Sequence, residues 1–524
     1  MHGAALLALA TAIVKVIGAI YKIPLKMIIG DQGYGYFTTA YDIYSVLLMI
    51  STAGLPVAMS RMISQASALG NYNQVRKIYK TARGIFLALG VVSTALMVAF
   101  CGQLANWLEQ PNAKTAILFL GPCALLMGII STYRGFFQGQ GDMRPTSSSQ
   151  VLEAAFKLVV GLGAAFAIMY YTKSVPLAAG GAILGVTVSC AISVVYLRGK
   201  FVPAYAQLPK TQDQEMSYGT AIKGLLAIAV PITIGSAGLQ LLTVVEQKLY
   251  MGQLLTANGL SQDTADTMKG IYSMTMTIFN MPCAFIVPIT VSVIPAITSQ
   301  LTLKNDMGVR ETEESAARIT GLISLPCSVG LCVLARPVMA LLGDYSGEKL
   351  ELAASLMTVL GVCIFLYAVI QYTNSVMQAH GYAHIPVINM LICGVAKLAV
   401  VYILVGNPNI GILGAPIGAL LAYAAIGILN LLAIGRIVPQ KPKLIVNLLR
   451  PFIPVALMGL AVYGVYWGVT QLLGADGSRV LLCGVPIAVG VAVYFLAVVK
   501  CKAITAEDCK LLPKGEKIAK LLKL

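Results

Sequence analysis

Charge is what this chain has least of. Asp, Glu, Lys and Arg make up 11% of its 524 residues, where a soluble globular protein carries about 25%. An apolar share of 58% and a mean hydropathy of +0.81 accompany that deficit, and together they exclude an ordinary water-soluble enzyme. No stretch is long or polar enough for a separate soluble domain. The phosphate-loop pattern of two glycines followed by Lys and Ser/Thr is missing, which excludes ATP hydrolysis by that route. No nucleophile–base constellation stands out, so no enzymatic activity is expected. The 11 cysteines fall mostly in apolar runs (Cys101, Cys190, Cys327, Cys332, Cys363, Cys393) and show no metal-ligand spacing. They read as small apolar residues, implying neither a disulfide nor a metal.

What is present is a succession of apolar runs. Hydrocarbon cannot hydrogen-bond a bare backbone, so such a chain spans as helices or as a closed barrel. Barrel strands alternate in polarity over about ten residues. Here the runs are continuous and near the roughly 20 residues that a helix needs to cross about 30 Å. The expectation is an all-α integral membrane protein with about fourteen transmembrane helices. The runs lie at 3–29, 36–61, 83–103, 115–133, 148–170, 177–197, 224–247, 271–299, 319–335, 352–372, 386–405, 412–434, 452–471 and 480–499. The first is too long, and too interrupted by lysine, for a cleaved leader.

The net charge of +16 would suit nucleic acid, but its placement does not. With the N-terminus inside, inner loops and the C-terminal tail hold 25 of the 37 Lys and Arg, outer loops seven and the spans five. Arg61, Arg76, Lys77, Lys80 and Arg83 crowd the first inner loop. This asymmetry predicts both termini in the cytoplasm. The tail lysines Lys510, Lys514, Lys517, Lys520 and Lys523 suit the surface of anionic lipid.

The sequence also repeats. Gln138-Gly139-Gln140-Gly141 before Pro145 matches Gln378-Ala379-His380-Gly381 before Pro386, with glutamines and final glycines both 240 apart. Lys157 and Lys397, on the helices that follow, keep the same offset. Leu55-Pro56-Val57 matches Ile294-Pro295-Ala296 at an offset of 239, and Arg83 and Arg318 each open a helix. The predicted organisation is a six-helix bundle at 1–200, a cytoplasmic linker at 201–223, a second six-helix bundle at 224–435, a further helix pair at 436–499, and the basic tail at 500–524. An even helix number gives both repeats one orientation, a transporter design with the substrate held between bundles.

Charges inside the membrane cost about 2.5–3.5 kcal/mol each on insertion scales, so they face a cavity or a partner. Lys15, Lys22 and Lys26 share one stripe of the first span with Gly18. Lys26, a turn from the outer end, is expected to snorkel outward. Lys15 is too deep to do so, and Lys15 and Lys22 are candidate substrate-binding residues of a cavity suited to phosphate. Asp42 lies at the depth of Lys22, which gives a structural Lys22–Asp42 pair as the bland alternative. Glu153 and Lys157, four apart, are expected to pair locally, and with Asp42 they are further candidate substrate-binding residues of the same cavity. Lys397 has no carboxylate one turn away, and Glu246 is the acidic residue available to answer it. His380 and His384 flank a glycine and precede Pro386, which argues against a metal site. The pairs Gly181/Gly185, Gly414/Gly418 and Gly464/Gly468 predict close helix packing.

Fourteen helices in this arrangement resemble the multidrug/oligosaccharidyl-lipid/polysaccharide exporter superfamily. Lys15-Val16-Ile17-Gly18-Ala19-Ile20-Tyr21-Lys22-Ile23-Pro24 resembles its polysaccharide biosynthesis branch. So do Arg134-Gly135-Phe136-Phe137-Gln138-Gly139-Gln140-Gly141 and Gln150-Val151-Leu152-Glu153. That branch includes stage V sporulation protein B and relatives of lipid II flippase, and the resemblance covers nearly the whole chain. It implies a flippase in a bacterial plasma membrane that moves a lipid-linked, diphosphate-bearing saccharide by alternating access, without a cofactor and as a monomer. It also implies a cavity arginine near the place of Lys15 and others in helices 2 and 8, but the run 271–299 has neither Lys nor Arg. The same resemblance implies that Glu246 binds a coupling cation of unknown identity, as the family's helix 7 carboxylate does. Two alternatives stay open: a cation-coupled multidrug antiporter on the same fold, which would need cavity carboxylates, and a non-transporting scaffold for envelope synthesis.

Overall fold

The computed structural model describes residues 2–50, 54–211, 216–439, 441–474 and 477–505. The five tail lysines, Asp213 and Gln440 lie outside the described residues. Among the described residues every regular element is helical. Eleven helices among them are long and apolar enough to cross a membrane, and the chain is a multi-pass membrane protein.

Spatial grouping divides the chain at residue 273. The first unit holds α1 (His2–Met49), α2 (Leu55–Ala68), α3 (Tyr72–Ala99), α4 (Cys101–Trp107), α5 (Lys114–Gly139), α6 (Arg144–Thr172), α7 (Val175–Ala206) and α8 (Tyr218–Thr256). It also takes the opening of α9 (Gln262–Thr302). In this unit α7 lies against α5 and α6, α3 against α5, and α1 against α6. The second unit holds the rest of α9, then α10 (Asp306–Val333), α11 (Ala335–Leu342), α12 (Gly347–Ala379), α13 (His384–Val405) and α14 (Gly414–Ile437). It closes with α15 (Leu444–Leu449), α16 (Phe452–Leu473) and α17 (Arg479–Lys500). Here α12 packs on α10 and α14, and α16 on α17. One core of this unit joins Val293, Ile297, Val309, Ala316, Tyr372 and Leu448.

The first two apolar runs have no loop between them. Gly30, at φ 70° and ψ −176°, redirects the chain within α1. Only glycine enters that region without strain, so one residue turns the chain from one helix into the next.

Both units reproduce the same local geometry at the positions that repeat in sequence. The Gly141 amide donates to the Gln138 carbonyl at 3.0 Å and the Asp142 amide to Phe137 at 3.0 Å. In the second unit, Gly381 donates to Gln378 at 3.0 Å and Tyr382 to Met377 at 2.8 Å. Both glycines have positive φ, 79° and 86°, the helix-ending conformation that satisfies the last carbonyls. Thr94 donates its hydroxyl to the Gly121 carbonyl at 2.9 Å, and Ser328 does the same to Gly361 at 2.8 Å. A Cβ on Gly185 would lie 2.3 Å from Gly161 Cα, and one on Gly418 would lie 2.5 Å from Val401. Gly161 and Val401 are again 240 apart. Lys157 and Lys397 follow the matched turns, on α6 and α13.

Three expectations about the helices change. Arg83 and Arg318 do not open helices, because α3 and α10 begin at Tyr72 and Asp306. Gly464 and Gly468 have nothing within 4 Å of a built Cβ; unlike the other two pairs, they meet no neighbouring helix. Finally, α9 starts at Gln262, nine residues before the apolar run from which its start was read. The residues between include the buried polar Asp266 and Lys269, and hydropathy alone makes such a stretch a loop.

Candidate functional site

The second half of α1 carries aromatic rings one helical turn apart. Tyr34, Phe37, Tyr41 and Tyr44 follow one another with centroids 6.1, 5.6 and 5.2 Å apart. Tyr34, Phe37 and Tyr44 are buried, while Tyr41 is partly open. Two ammonium groups meet at Tyr41. Lys22 Nζ lies 5.3 Å from the ring centroid. Lys157 Nζ, from α6, lies 5.4 Å from the same centroid and 3.4 Å from the Tyr41 hydroxyl. Tyr21 closes the group: its ring is 5.9 Å from Lys157 Nζ, and its hydroxyl donates to the Ala182 carbonyl at 3.2 Å. Among the described residues neither Lys22 nor Lys157 forms an ion pair. A π-face attracts an ammonium but does not neutralise it, so two positive charges share one tyrosine.

The carboxylates expected to answer them are engaged elsewhere. Glu153 pairs with Arg134 of α5 at 3.0 Å, and Arg134 also donates to Ser149 at 2.9 Å. Arg134 lies within α5 and is buried, although its position in sequence suggests an inner loop. Asp42 pairs with Lys269 of α9, Oδ2 to Nζ 3.6 Å, and not with Lys22. Lys26 is buried and bound to Asp31 at 3.3 Å, so it does not snorkel. For Glu153 and Asp42 a partner on another helix has displaced the expected arrangement, while Lys26 meets its partner across the Gly30 turn of α1. A buried ion keeps its charge only beside a counter-ion or hydrogen bonds, and an interhelical contact supplies both.

From Lys269 a buried polar chain runs through the first unit. Lys269 donates to Gln247 Oε1 at 3.0 Å, and Gln247 donates to the Thr39 hydroxyl at 2.7 Å. Thr39 in turn donates to Gln110 Oε1. Gln110 reaches Asp266 Oδ1 at 3.0 Å, Gln262 reaches the same oxygen at 2.9 Å, and the Tyr36 hydroxyl reaches Oδ2 at 2.9 Å. Three donors hold the Asp266 carboxylate in place. This chain ties α1 to α8, α9 and the 109–112 segment. Helices α1 and α9 approach so closely there that a Cβ on Gly270 would lie 1.9 Å from the Asp31 carbonyl oxygen. Lys269, Asp266, Gln110 and Gln262 escaped notice in the sequence because they fall outside the apolar runs, and Gln247 because it ends one. The one signal available was the four-residue spacing of Gln262 and Asp266, which places them on one helix face.

The remaining candidates are scattered. Lys15 lies on α1, with its side chain outside the described part. Glu246 is buried on α8, and with Asp42 it is a carboxylate neighbour of Lys269. Lys397 is half-buried on α13, in the second unit, near Cys363. His380 and His384 share no metal site. His380 Nε2 lies 2.7 Å from Glu313 Oε1, a fully buried carboxylate on α10. Among the described residues no group of three or more His, Cys, Asp or Glu could hold a metal.

The sequence and the helical fold have counterparts among known proteins. The family model described as polysaccharide biosynthesis protein matches residues 1–301, more than half of the chain. The chain belongs to the polysaccharide biosynthesis protein family. A second model, MatE, matches 267–403, and both place this family member in the multidrug/oligosaccharidyl-lipid/polysaccharide exporter superfamily. Three Bacillus subtilis (strain 168) proteins align along nearly the full length. They are the uncharacterized membrane protein YabM (26% identical, covering 100% of this chain and 96% of the relative), stage V sporulation protein B (23%, 98% and 97%) and the lipid II flippase MurJ (23%, 94% and 94%). A solved lipid II flippase MurJ, in an inward closed conformation, matches with a TM-score of 0.70 at 13% identity. It covers 94% of this chain and 97% of the other. The polysaccharide biosynthesis fold is thus that of membrane transporters, and this chain is a membrane flippase or transporter by family.

Proposed function

We propose that this protein moves a lipid-linked saccharide bearing a diphosphate, lipid II or a relative of it, from the inner to the outer leaflet of a bacterial plasma membrane, with both termini in the cytoplasm. The observation that carries the reading is the Lys22–Tyr41–Lys157 group. Two ammonium groups within 5.3 and 5.4 Å of one ring centroid, with no carboxylate of their own, repel each other until an anion joins them. A diphosphate supplies charge and several acceptor oxygens at once. The acidic groups nearby, Glu153 and Asp42, are bound to Arg134 and Lys269 and so leave the field positive. Lys269 lies on the helix where the family resemblance implies a cavity arginine, but its pairing with Asp42 already spends its charge.

The engaged carboxylates weigh against a cation-drug antiporter, which needs exposed negative charge. Lys15, on the same stripe of α1, belongs to the proposed substrate path. The test is complementation of a strain lacking its lipid-linked precursor flippases, with membrane abundance and leaflet sidedness of the precursor measured in parallel. Lys22→Glu/Lys157→Glu should fail to complement, and Lys22→Arg/Lys157→Arg should retain part of the activity because charge is kept and geometry is not. Full complementation by the glutamate pair at normal abundance would end the proposal. Drug resistance without complementation would favour the antiporter.

A further inference from the structure

A second cationic site lies in the first unit, away from Tyr41, where α3, α5 and α7 meet. A cavity of about 170 Å³ opens there between Arg83 of α3 and Arg198 of α7, with Tyr79, Thr132, Tyr133 and Val194 in its wall. Water occupies about 30 Å³ per molecule in the liquid, so this space takes a group larger than a few waters. Its inner wall is rigid. The Tyr79 and Phe201 rings stack with centroids 4.6 Å apart, and Phe201 holds Tyr133 at 5.0 Å.

The charge at this cavity has no internal answer. Helices α3, α5 and α7 contain no Asp or Glu. Among the described residues neither Arg83 nor Arg198 forms an ion pair. Both guanidinium groups are exposed. They also stand at one level, since Arg83 is the last basic residue before the apolar stretch of α3 and Arg198 the first after that of α7. That is the edge of the hydrocarbon, where lipid phosphates lie. Two forked donors facing one space, with tyrosine hydroxyls beside them, match the oxygens of a phosphate.

We infer that the Arg83–Arg198 cavity binds a phosphate group, carried by an anionic phospholipid of the adjoining leaflet or free in solution. This site is separate from the proposed substrate path and independent of which cargo that path takes. Occupancy would fasten α3 to α7 at the membrane surface and make the protein's stability depend on the lipid around it.

The test uses the purified full-length protein in a neutral-sugar detergent. It is titrated with phosphatidylglycerol, phosphatidylcholine or inorganic phosphate while retained ligand is read by native mass spectrometry and unfolding temperature is followed. Saturable binding of phosphatidylglycerol but not inorganic phosphate would identify the lipid as the source. Binding of inorganic phosphate alone would identify the free ion. In either case Arg83→Gln/Arg198→Gln should weaken binding by about tenfold or more, the loss expected for two charge-assisted contacts. Lys80→Gln/Lys200→Gln, which removes the same charge from exposed neighbours, should change it by about twofold at most. Wild-type affinity in the arginine pair, an equal loss in the lysine pair, or equal binding of phosphatidylcholine each overturns the inference. If the glutamine pair does not fold, Arg83→Lys/Arg198→Lys decides: weakened binding supports the forked contact, and unchanged binding overturns it.

Discussion

Asp42 and Lys269 offer a test of how this protein holds charge within its helices. Their charged atoms lie 3.6 Å apart, with the lysine side chain 5% exposed and the aspartate 28%. At an effective dielectric of about 20, that separation corresponds to about 4–5 kcal/mol of attraction. Asp42→Asn removes it and leaves the buried ammonium to Gln247, the Tyr250 ring and the neighbouring Glu246; allowing for partial solvent access to Asp42, the expected loss is about 2–4 kcal/mol. Lys269→Met strands a carboxylate that can still reach solvent, so it should cost less, about 1–2 kcal/mol. The double variant removes both charges and should return to within about 1 kcal/mol of wild type, because a buried pair can be replaced by uncharged groups at little cost. The assay is thermal unfolding of purified protein, monitored by loss of the monodisperse peak, for all four members of the cycle. Strictly additive losses would refute the pairing, and so would an Asp42→Asn protein as stable as wild type.

Three further outcomes follow from the geometry. Gly270→Ala should sharply reduce folded protein, because its Cβ would sit 1.9 Å from the Asp31 carbonyl oxygen, whereas Gly464→Ala should be silent because nothing lies within 4 Å; membrane abundance of the two variants reads this directly. Gly141→Ala and Gly381→Ala, at positive φ in matched turns, should each cost about 1 kcal/mol, and unequal losses in unfolding temperature would count against a shared geometry. Cysteines introduced at Asn73 and Asp306 should be shielded from an impermeant thiol reagent in intact cells, and labelling at both would reverse the proposed orientation.

The membrane-spanning, all-helical character of this chain was legible from hydropathy, because hydrocarbon leaves a long apolar backbone no other open choice. The repeat was legible too. Gly141 and Gly381 end their helices through left-handed conformations that other residues adopt only with strain, so the pattern survives in sequence wherever the turn survives in space. The glycine pairs at 181/185 and 414/418 were readable because helices approach there too closely for a side chain. Those at 464/468 were not, since close packing depends on what faces a glycine as well as on the glycine itself.

The pairing of charges was decided by the fold alone. Sequence spacing offered Lys157 to Glu153 and helix depth offered Lys22 to Asp42, yet Arg134 and Lys269 took those carboxylates from neighbouring helices. Attraction between ions falls with distance through space, and distance along the chain bears on it only within a single helix. The same limit hid the opening of α9: Gln262, Asp266 and Lys269 read as loop because hydropathy scores each side chain as if it faced lipid. In the folded unit they face Tyr36, Gln110, Asp42 and Gln247 instead. Composition placed this chain in the membrane. Only the packing of helices remote in sequence determined which charges were cancelled inside it, and that, among the described residues, Lys22 and Lys157 share one tyrosine ring without an ion pair.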